Sequence, residues 1–163
     1  VRDARAYRLA YPVLERELIG QEAERAKLDP ALVAALIRQE SNFVPRATSA
    51  VGARGLMQVM PTVGAALARS RRIAPWDPVL LYQPDVNVIL GTTHLAGFLR
   101  QYPAPEYALA AYNAGPGRVS SWRRKTGTAD PLLFVERIPF VETRDYVRIV
   151  LRNRALYAAL YQW

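Results

Sequence analysis

The sequence predicts a mainly α-helical fold. Apolar residues recur at helical spacing along most of the 163 residues, and no alternating run is long enough to indicate a useful β-strand. Prolines stand where several of these segments begin, as is typical of the first turn of a helix. With 51% hydrophobic residues, the chain has the size of one globular domain with one core. We therefore expect a single domain over residues 1–163, in which residues 1–11 could be the end of a preceding linker or helical domain.

Proline and glycine divide the first quarter of the chain into helices. Pro12 is expected to begin a helix that Gly20 breaks, and residues 21–28 add a short helical piece. We interpret both segments as amphipathic supports of the core. The pair Asp29-Pro30 is typical of an N-cap followed by a first-turn proline, so a third helix is predicted from there to residue 41 or 42.

A structured loop and a series of helices complete the prediction. Residues 43–60 contain a proline and two glycines among small and hydroxyl residues, which favours a loop over a long helix. Pro61 permits a new helix over residues 62–70, and residues 70–83 are expected to be irregular. Helices are then predicted over residues 85–102, 106–115, 116–127 and, at the C-terminus, 140–160.

The composition excludes several kinds of chemistry. The chain has no Cys and a single His, His94, so it cannot form a zinc site, a thiol nucleophile or a disulfide. No nucleophile elbow accompanies His94, whose neighbours are typical of a helix packing face, and a structural role is favoured over a Ser-His-Asp triad. We expect no metal and no cofactor, so catalysis would depend on carboxylates, amides and hydroxyls.

The net charge of +8 favours an anionic partner such as nucleic acid, a membrane or an acidic polymer, although it could equally serve solubility alone. The basic residues are dispersed, and no nucleic-acid-binding motif has a recognisable spacing. No apolar run is long enough to span a bilayer, and the first residues lack the apolar core of a signal peptide. The chain is therefore expected to be mature or excised from a longer protein.

The third predicted helix ends in a carboxylate. Its apolar face includes Leu36 and Ile37, and the next position on that face is Glu40. Burial beside apolar side chains would raise the pKa of Glu40 and keep it protonated as a general acid, for example for a glycosidic oxygen. Spacing alone nevertheless favours the alternative that Glu40 points into solvent or pairs with Arg38 or Arg46.

The segment after Glu40 lacks a second carboxylate. Residues 41–76 contain no Asp or Glu, whereas glycosidases usually hold two carboxyl groups about 5–10 Å apart. Asp77, Glu142 or Asp145 could supply the second group through folding. If none does, the substrate must provide its own nucleophile, and a single-acid mechanism is the simpler hypothesis.

Five motifs carry a resemblance to a known family. IRQESNF, ATSAVGARGLMQVMP and ALAAYNAGPGRV follow in this order, together with PDVNVILGTTHL and IPFVETRDYV. They resemble the catalytic (SLT) domain of the soluble lytic transglycosylases, from about residue 10 to the C-terminus. The last motif is similar to the periplasmic branch, in which this domain ends a longer helical chain. The resemblance implies a lysozyme-like orthogonal helical domain, similar to goose-type lysozyme, with its cleft between helices and a glycine-containing loop.

The family resemblance implies an activity. These enzymes cleave the β-1,4 bond between N-acetylmuramic acid and N-acetylglucosamine in peptidoglycan without water, and they form 1,6-anhydromuramoyl ends. Glu40 matches their only catalytic acid and base. The expected partner is peptidoglycan glycan strands with stem peptides, in the bacterial periplasm or cell envelope. Other cell-wall enzymes are candidate partners, whereas nucleic acid and an integral membrane span are not expected.

The resemblance also assigns residues of the predicted loop to the cleft. Ser49 matches a serine near the acid and the substrate acetamido group, although it could simply cap a turn. Gln58 matches a side-chain amide of the glycan cleft. Met57 and Met60 would supply an apolar wall, and filling of the core is expected more of Met57 than of Met60.

Three residues of the C-terminal half match the other side of the cleft. Tyr112 and Asn113 match an aromatic residue and an amide that face the acid. The Tyr112 hydroxyl would bond to Glu40 or to the reacting sugar, and Asn113 could instead cap its helix. Glu142 matches an acid that contacts substrate, or it caps its own helix. His94 stands where relatives often carry Tyr, which puts one wall of the cleft or core in question.

Three other functions stay open. A muramidase of the same fold would hydrolyse the same bond, a wall-binding module would hold glycan without cutting it, and a basic nucleic-acid binder would show salt-sensitive DNA binding. The presence of Glu40, Gln58, Tyr112 and Asn113 together argues against a decayed site. A lytic transglycosylase is therefore the leading hypothesis.

Overall fold

The computed structural model describes residues 4–163, and the regular structure in that range is helical. The mainly α prediction is therefore confirmed. Two isolated β-bridges lie in the loop after the third helix, and a 3₁₀ turn spans Pro78–Tyr82. The α-helices of the described range are α1 Ala4–Ala10, α2 Arg16–Ala26, α3 Pro30–Ser41, α4 Pro61–Ser70, α5 Pro84–Gln101, α6 Pro105–Ala114, α7 Pro116–Thr126, α8 Pro131–Glu136 and α9 Val141–Leu160.

Prolines and N-caps begin most of these helices. Every helix from α3 to α8 begins at a proline, whose missing N–H costs nothing in the first turn. The side chain of Asp29 caps α3 by accepting the N–H of Ala31, and that of Asp130 caps α8 in the same way. The bounds of α3 to α7 lie within one residue of those predicted, because the local signals at both ends of these helices agree.

The two ends of the chain differ from the prediction. Gly20 lies inside α2 and does not break a helix, and Pro12 does not begin one. No neighbouring atom lies within 4 Å of a Cβ added at Gly20, so its place in the helix costs only backbone entropy. The long C-terminal helix is present as α9, but the short helix α8 before it was not predicted.

Part of the stretch predicted to precede the domain is described. Ala4–Ala10 forms α1, and the guanidinium of its Arg8 donates hydrogen bonds of 2.9 and 3.1 Å to the Leu160 carbonyl at the end of α9. This helix contributes no buried side chain to the core. Residues 1–3 of the predicted linker lie outside the described residues.

The core is built around α3. Residues 31–37 are all buried, so this helix is apolar around its whole circumference and is surrounded by other helices. It packs most extensively against α9, which also contacts α6. Hydrogen bonds join the last turn of α3 and the end of α6 to the first half of α9. The candidate site lies where these three helices meet.

The loop between α3 and α4 is held to α5 by one buried amide. Asn87 Oδ1 accepts the N–H of Met57 at 2.7 Å, and Asn87 Nδ2 donates to the carbonyls of Arg54 (2.9 Å) and Leu81 (2.7 Å). Gly55 is required there, because its φ is +77° and an added Cβ would lie 2.0 Å from the Leu81 carbonyl oxygen. The sequence analysis did not predict this role of Asn87. The only signal for it in the sequence is an amide among the apolar residues of α5.

Candidate active site

Glu40 lies in the last turn of α3, where the buried part of the helix ends. Leu36 and Ile37 are fully buried, whereas Glu40 is partly exposed. Its Oε1 accepts a hydrogen bond of 2.6 Å from the hydroxyl of Tyr146 on α9. The next residue, Ser41, is buried and donates from its hydroxyl to a backbone carbonyl of the following loop, 2.8 Å away. The end of α3 is thereby fixed against both α9 and the loop.

The environment of Glu40 changes its pKa. Burial raises the pKa of Glu40 from 4.5 to about 7, and the hydrogen bond from Tyr146 opposes part of this rise because it favours the ionised form. Both forms of the carboxyl are therefore populated near neutral pH. The alternative that Glu40 pairs with an arginine is wrong. No ion pair within residues 4–163 includes it, and the Arg38 guanidinium lies over the Tyr11 ring, 4.5 Å from the centroid.

Two of the three candidates for a second carboxylate have other partners, and the third, Glu142, is exposed on α9. Asp77 caps the 3₁₀ turn by accepting a backbone N–H at 2.7 Å, and Asp145 pairs with Arg148 at 3.5 Å. Within the described part of the chain, the pKa of Glu40 is set by burial and by Tyr146, with no contribution from another carboxyl group.

Two tyrosines accompany Glu40, of which Tyr146 is buried and Tyr112 is partly buried. Tyr146 donates to Glu40, whereas Tyr112 of α6 donates to the Met57 carbonyl oxygen at 2.8 Å. Burial and then the charge of Glu40 raise the pKa of both phenols well above the usual value, so both stay protonated. Tyr112 was expected to bond to Glu40 or to the reacting sugar. In the structure Tyr146 donates to Glu40, and Tyr112 donates to the loop backbone. The sequence placed Tyr146 only on the packing face of the C-terminal helix.

Two loop residues of the predicted cleft bond within the loop itself. Ser49 Oγ accepts the N–H of Ala53 at 3.0 Å, which closes a turn. Gln58 Nε2 donates to two loop carbonyls, at 2.8 and 3.2 Å. Neither side chain hydrogen bonds to Glu40 within the described residues. Ser49 therefore caps a turn, which was the alternative considered for it. Gln58 also holds the loop together, a role that the sequence did not indicate because the partners of Gln58 are backbone atoms.

The end of α6 is joined to the beginning of α9. Thr143 Oγ1 donates to Asn113 Oδ1 at 2.7 Å, so Asn113 bonds across the two helices and does not cap its own. Glu142, beside Thr143, is exposed and forms no capping hydrogen bond with any described residue, contrary to the alternative for it. Asn113 is thus joined through Thr143 to the beginning of α9. Glu142 lies on the same helix, close in sequence to Tyr146.

The two methionines of the loop differ in burial, as expected. Met57 is fully buried, and Met60 is partly exposed at the N-cap of α4. Met57 packs on α5 at Gly91, where an added Cβ would lie 2.3 Å from the Met57 sulfur and 2.6 Å from its Cβ. Because the Met57 carbonyl accepts the Tyr112 hydroxyl, this contact connects the packing of α5 to the site.

Gly91→Ala is expected to lower the free energy of unfolding by about 2 kcal/mol, because Met57 must move to admit the new methyl group. Gly97→Ala on the same helix is the matched control. No atom lies within 4 Å of its added Cβ, and the better helix former should stabilise the fold by about 0.5–1 kcal/mol. Urea unfolding of both variants measures the difference. Equal changes of one sign in both would contradict the close packing at Gly91.

His94 has the structural role that was favoured for it. Its ring lies 4.6 Å from the Phe98 ring and 5.3 Å from the Tyr112 ring, and burial lowers the pKa of His94. It therefore supports one wall behind Tyr112. Among residues 4–163, the His, Asp and Glu side chains form no group of three or more that could hold a metal ion.

Comparison with known proteins gives matches along most of the chain. The Transglycosylase SLT domain family matches residues 17–135. The soluble lytic murein transglycosylase of Salmonella typhimurium is 37% identical over 150 residues, which cover 90% of this chain and 23% of that protein.

Two solved structures share the fold. An inactive mutant of the lytic transglycosylase Slt from Pseudomonas aeruginosa has a TM-score of 0.87 and 35% identity, over 96% of this chain and 27% of that one. The 70 kDa soluble lytic transglycosylase of Escherichia coli has the same TM-score and identity, over 94% of this chain and 25% of that one. The chain spans about a quarter of the length of these relatives.

Proposed function

The chain belongs to the Transglycosylase SLT domain family, and from this premise we propose that it is a peptidoglycan lytic transglycosylase. It cleaves the β-1,4 bond between N-acetylmuramic acid and N-acetylglucosamine and forms 1,6-anhydromuramoyl products. The observation that carries the proposal is the carboxyl group of Glu40, which is held by Tyr146 at 2.6 Å and has a pKa of about 7. A carboxyl group with this pKa can give up a proton near neutral pH and later take one back.

In the first step, protonated Glu40 donates its proton to the glycosidic oxygen, and the bond between that oxygen and muramoyl C1 breaks. The N-acetylglucosamine side leaves as an alcohol. Positive charge develops at C1, where the 2-acetamido group of the same sugar stabilises it. Glu40 becomes a carboxylate, and the hydroxyl of Tyr146 already points its hydrogen at the oxygen that gains charge.

In the second step, the Glu40 carboxylate removes the proton of the muramoyl C6 hydroxyl while that oxygen attacks C1. The new C6–O–C1 bond closes the 1,6-anhydro ring, and Glu40 is again protonated. No water enters the products. The proposal of a single acid and base is supported by the pKa of Glu40, to which no other carboxyl group of residues 4–163 contributes. The P. aeruginosa relative is inactive with a Glu replaced by Gln, which is consistent with one essential acid.

Further residues are proposed to bind the glycan. Asn113 Oδ1 accepts the hydrogen bond from the Thr143 hydroxyl, which leaves the amide hydrogens of Asn113 for substrate. Glu142 is exposed and Met60 is partly exposed, so both can contact sugar. Ser49 accepts one hydrogen bond and keeps its own hydroxyl hydrogen to donate, and Gln58 keeps its side-chain oxygen as an acceptor. We propose that all five residues contact the substrate, together with the ring of Tyr112.

Peptidoglycan strands with stem peptides are the proposed partner, in the bacterial cell envelope. The net charge of +8 complements the carboxylates of those peptides. No helix within residues 4–163 has the length and apolar character needed to cross a membrane.

We also propose that the chain forms one catalytic domain, since one cluster of buried residues extends from α2 to α9.

Product analysis tests the proposed reaction. Digestion of purified peptidoglycan sacculi is expected to yield 1,6-anhydromuramoyl ends, each lighter by one water than the corresponding reducing end. Mass spectrometry of the released fragments distinguishes the two. Reducing ends in place of anhydro ends would identify a muramidase of the same fold, and binding without any fragments would identify a glycan-binding module. Either result would overturn the proposal.

A further inference from the structure

The side chain of Arg54 is a cation that the fold leaves without a partner. It lies in the loop between α3 and α4 and is partly buried. Its guanidinium forms no ion pair and no hydrogen bond with residues 4–163, and its Nε is shielded from solvent without an acceptor. A shielded N–H group without an acceptor is costly in a folded protein, and a bound ligand can supply the missing acceptor.

Neighbouring residues do not neutralise the charge of Arg54. Residues 41–76 contain five arginines and no Asp or Glu. None of these arginines forms an ion pair within the described part of the chain. The next acid along the sequence, Asp77, is exposed and accepts the N–H of Val79 at 2.7 Å. The loop and α4 therefore carry uncompensated positive charge, which favours an anionic group on a partner.

Tyr82, at the end of the 3₁₀ turn, positions the guanidinium. The Arg54 guanidinium carbon lies 5.4 Å from the centroid of the Tyr82 ring. The Tyr82 hydroxyl shares a hydrogen bond of 2.8 Å with the Thr48 hydroxyl, so the ring is joined to the loop as well as to the 3₁₀ turn. Thr48 and Arg54 also form a β-bridge that closes this part of the loop. The arrangement is therefore preformed, and a ligand would not have to order it.

Two exposed apolar side chains belong to the same two segments. Val51 is 76% exposed in the turn that the bridge between Thr48 and Arg54 closes, and Val79 is 55% exposed in the 3₁₀ turn. Val79 and Tyr82 are three residues apart and therefore lie on the same side of that turn. The surface formed by Thr48, Val51, Arg54, Val79 and Tyr82 is called the Arg54 face below.

We propose that the Arg54 face docks a partner protein, with an Asp or Glu side chain of the partner on Arg54 and apolar side chains on Val51 and Val79. Guanidinium binds a carboxylate through paired hydrogen bonds, which a neutral sugar cannot offer. Arg and Tyr are the residue types that often dominate the binding energy of protein interfaces, where surrounding contacts exclude water. A protein is favoured over a phosphate polymer, because the exposed valines offer such a polymer no polar contact.

The test measures the binding of two blocked peptides, acetyl-Leu-Glu-Leu-amide and its neutral counterpart acetyl-Leu-Gln-Leu-amide. The Glu peptide is expected to bind about tenfold more tightly, which corresponds to one charge-assisted hydrogen bond. Its binding to the unmodified chain should also displace the NMR resonance of the Arg54 Nε–H group. Arg54→Gln should remove the preference for the Glu peptide. Val51→Ala and Val79→Ala should each weaken the binding of both peptides about threefold, because part of the apolar contact is lost.

Two residues of the same loop provide matched controls. Arg46→Gln removes an exposed cation, and Val44→Ala removes an apolar side chain that is 50% exposed. Neither should change the preference for the Glu peptide. Equal binding of the two peptides, an unmoved Arg54 Nε–H resonance, or a preference that Arg46→Gln and Arg54→Gln reduce alike would show no more than attraction to a basic chain. Each of these results would overturn the inference.

Two further measurements address other occupants of the Arg54 face. Sedimentation over a range of protein concentrations is expected to show no association that Arg54→Gln abolishes, since such association would identify a second copy of this chain. Glycan strands with stem peptides, added to the Glu40→Gln protein so that no strand is cut, should not displace the Glu peptide. Displacement would identify the wall polymer as the occupant, and either result would overturn the proposal of a partner protein. Because no readout requires turnover, failure to form anhydro ends would overturn the proposed function separately.

Discussion

Glu40→Gln is expected to lower the rate of anhydro-end formation by a factor of about 10³ or more. A glutamine can neither donate a proton to the glycosidic oxygen nor remove one from the C6 hydroxyl, so both proposed steps lose their catalyst. The amide has nearly the volume of the carboxyl group, and its oxygen can still accept the hydroxyl of Tyr146. Initial rates on purified sacculi measure the loss. Glu24→Gln, an exposed position of α2, is the matched control and should retain full activity.

The same substitution is expected to stabilise the fold at alkaline pH. Because burial raises the pKa of Glu40 from 4.5 to about 7, ionisation is harder in the folded chain than in the unfolded one. The resulting cost is absent below pH 4.5, grows as the pH rises to about 7, and is constant above that. Glutamine removes this cost, which is up to about 3 kcal/mol.

Urea unfolding at pH 4 and at pH 8.5 measures this effect. Glu40→Gln should match the wild type at the lower pH and exceed its free energy of unfolding at the higher pH, whereas Glu24→Gln should match the wild type at both. A loss of activity with an equal loss of stability at both pH values would show that Glu40 holds the fold together, and would remove the basis for a proton-transfer role.

The position of the acid could be predicted from the sequence because its causes are local. Asp29 and Pro30 fix where α3 begins, and helical spacing then places Glu40 beyond Ile37 on the apolar face. The loop could be predicted for the same reason, since proline and glycine exclude a long helix there. The prediction that Gly20 breaks a helix is wrong, because a glycine weakens a helix without ending it when the residues before and after it are packed.

The partners of the acid could not be predicted, because they come from distant parts of the chain. Tyr146 is 106 residues from Glu40, and periodicity assigned it to the packing face of α9 like its aliphatic neighbours. Asn87 reaches the loop backbone from α5, and no local pattern reports a bond from a side chain to a remote backbone group. Helical spacing finds which residues are buried; only the fold shows which buried polar atoms meet.

Tyr146→Phe is expected to lower kcat about a hundred-fold. In the proposed first step Glu40 gains negative charge, and the Tyr146 hydroxyl stabilises that charge from 2.6 Å without having to reorient. Phenylalanine keeps the ring in its buried position and removes only this donor. Tyr157→Phe is the matched control on the same helix, since that buried phenol donates to the Pro12 carbonyl at 3.2 Å and does not contact Glu40. It should leave kcat unchanged.

The pH dependence distinguishes this role from a structural one. The wild-type rate requires protonated Glu40 and should fall above about pH 7. The Tyr146 hydrogen bond lowers the pKa of Glu40, so its removal raises that pKa further and should move the alkaline limb of the pH–rate profile to higher pH. Tyr112, the other phenol electrostatically coupled to Glu40, stays protonated in this range and does not move the limb.

Tyr146→Phe therefore changes two measurements in opposite senses: the rate falls while the pH range of activity extends upward. Partial unfolding would lower the rate, but it would also expose Glu40 to water, return its pKa toward 4.5 and move the limb to lower pH. A lower rate with a limb displaced downward would contradict the proposed contact. The upward displacement follows only if the phenol stabilises the ionised carboxyl, and that stabilisation is what the first proposed step requires of it.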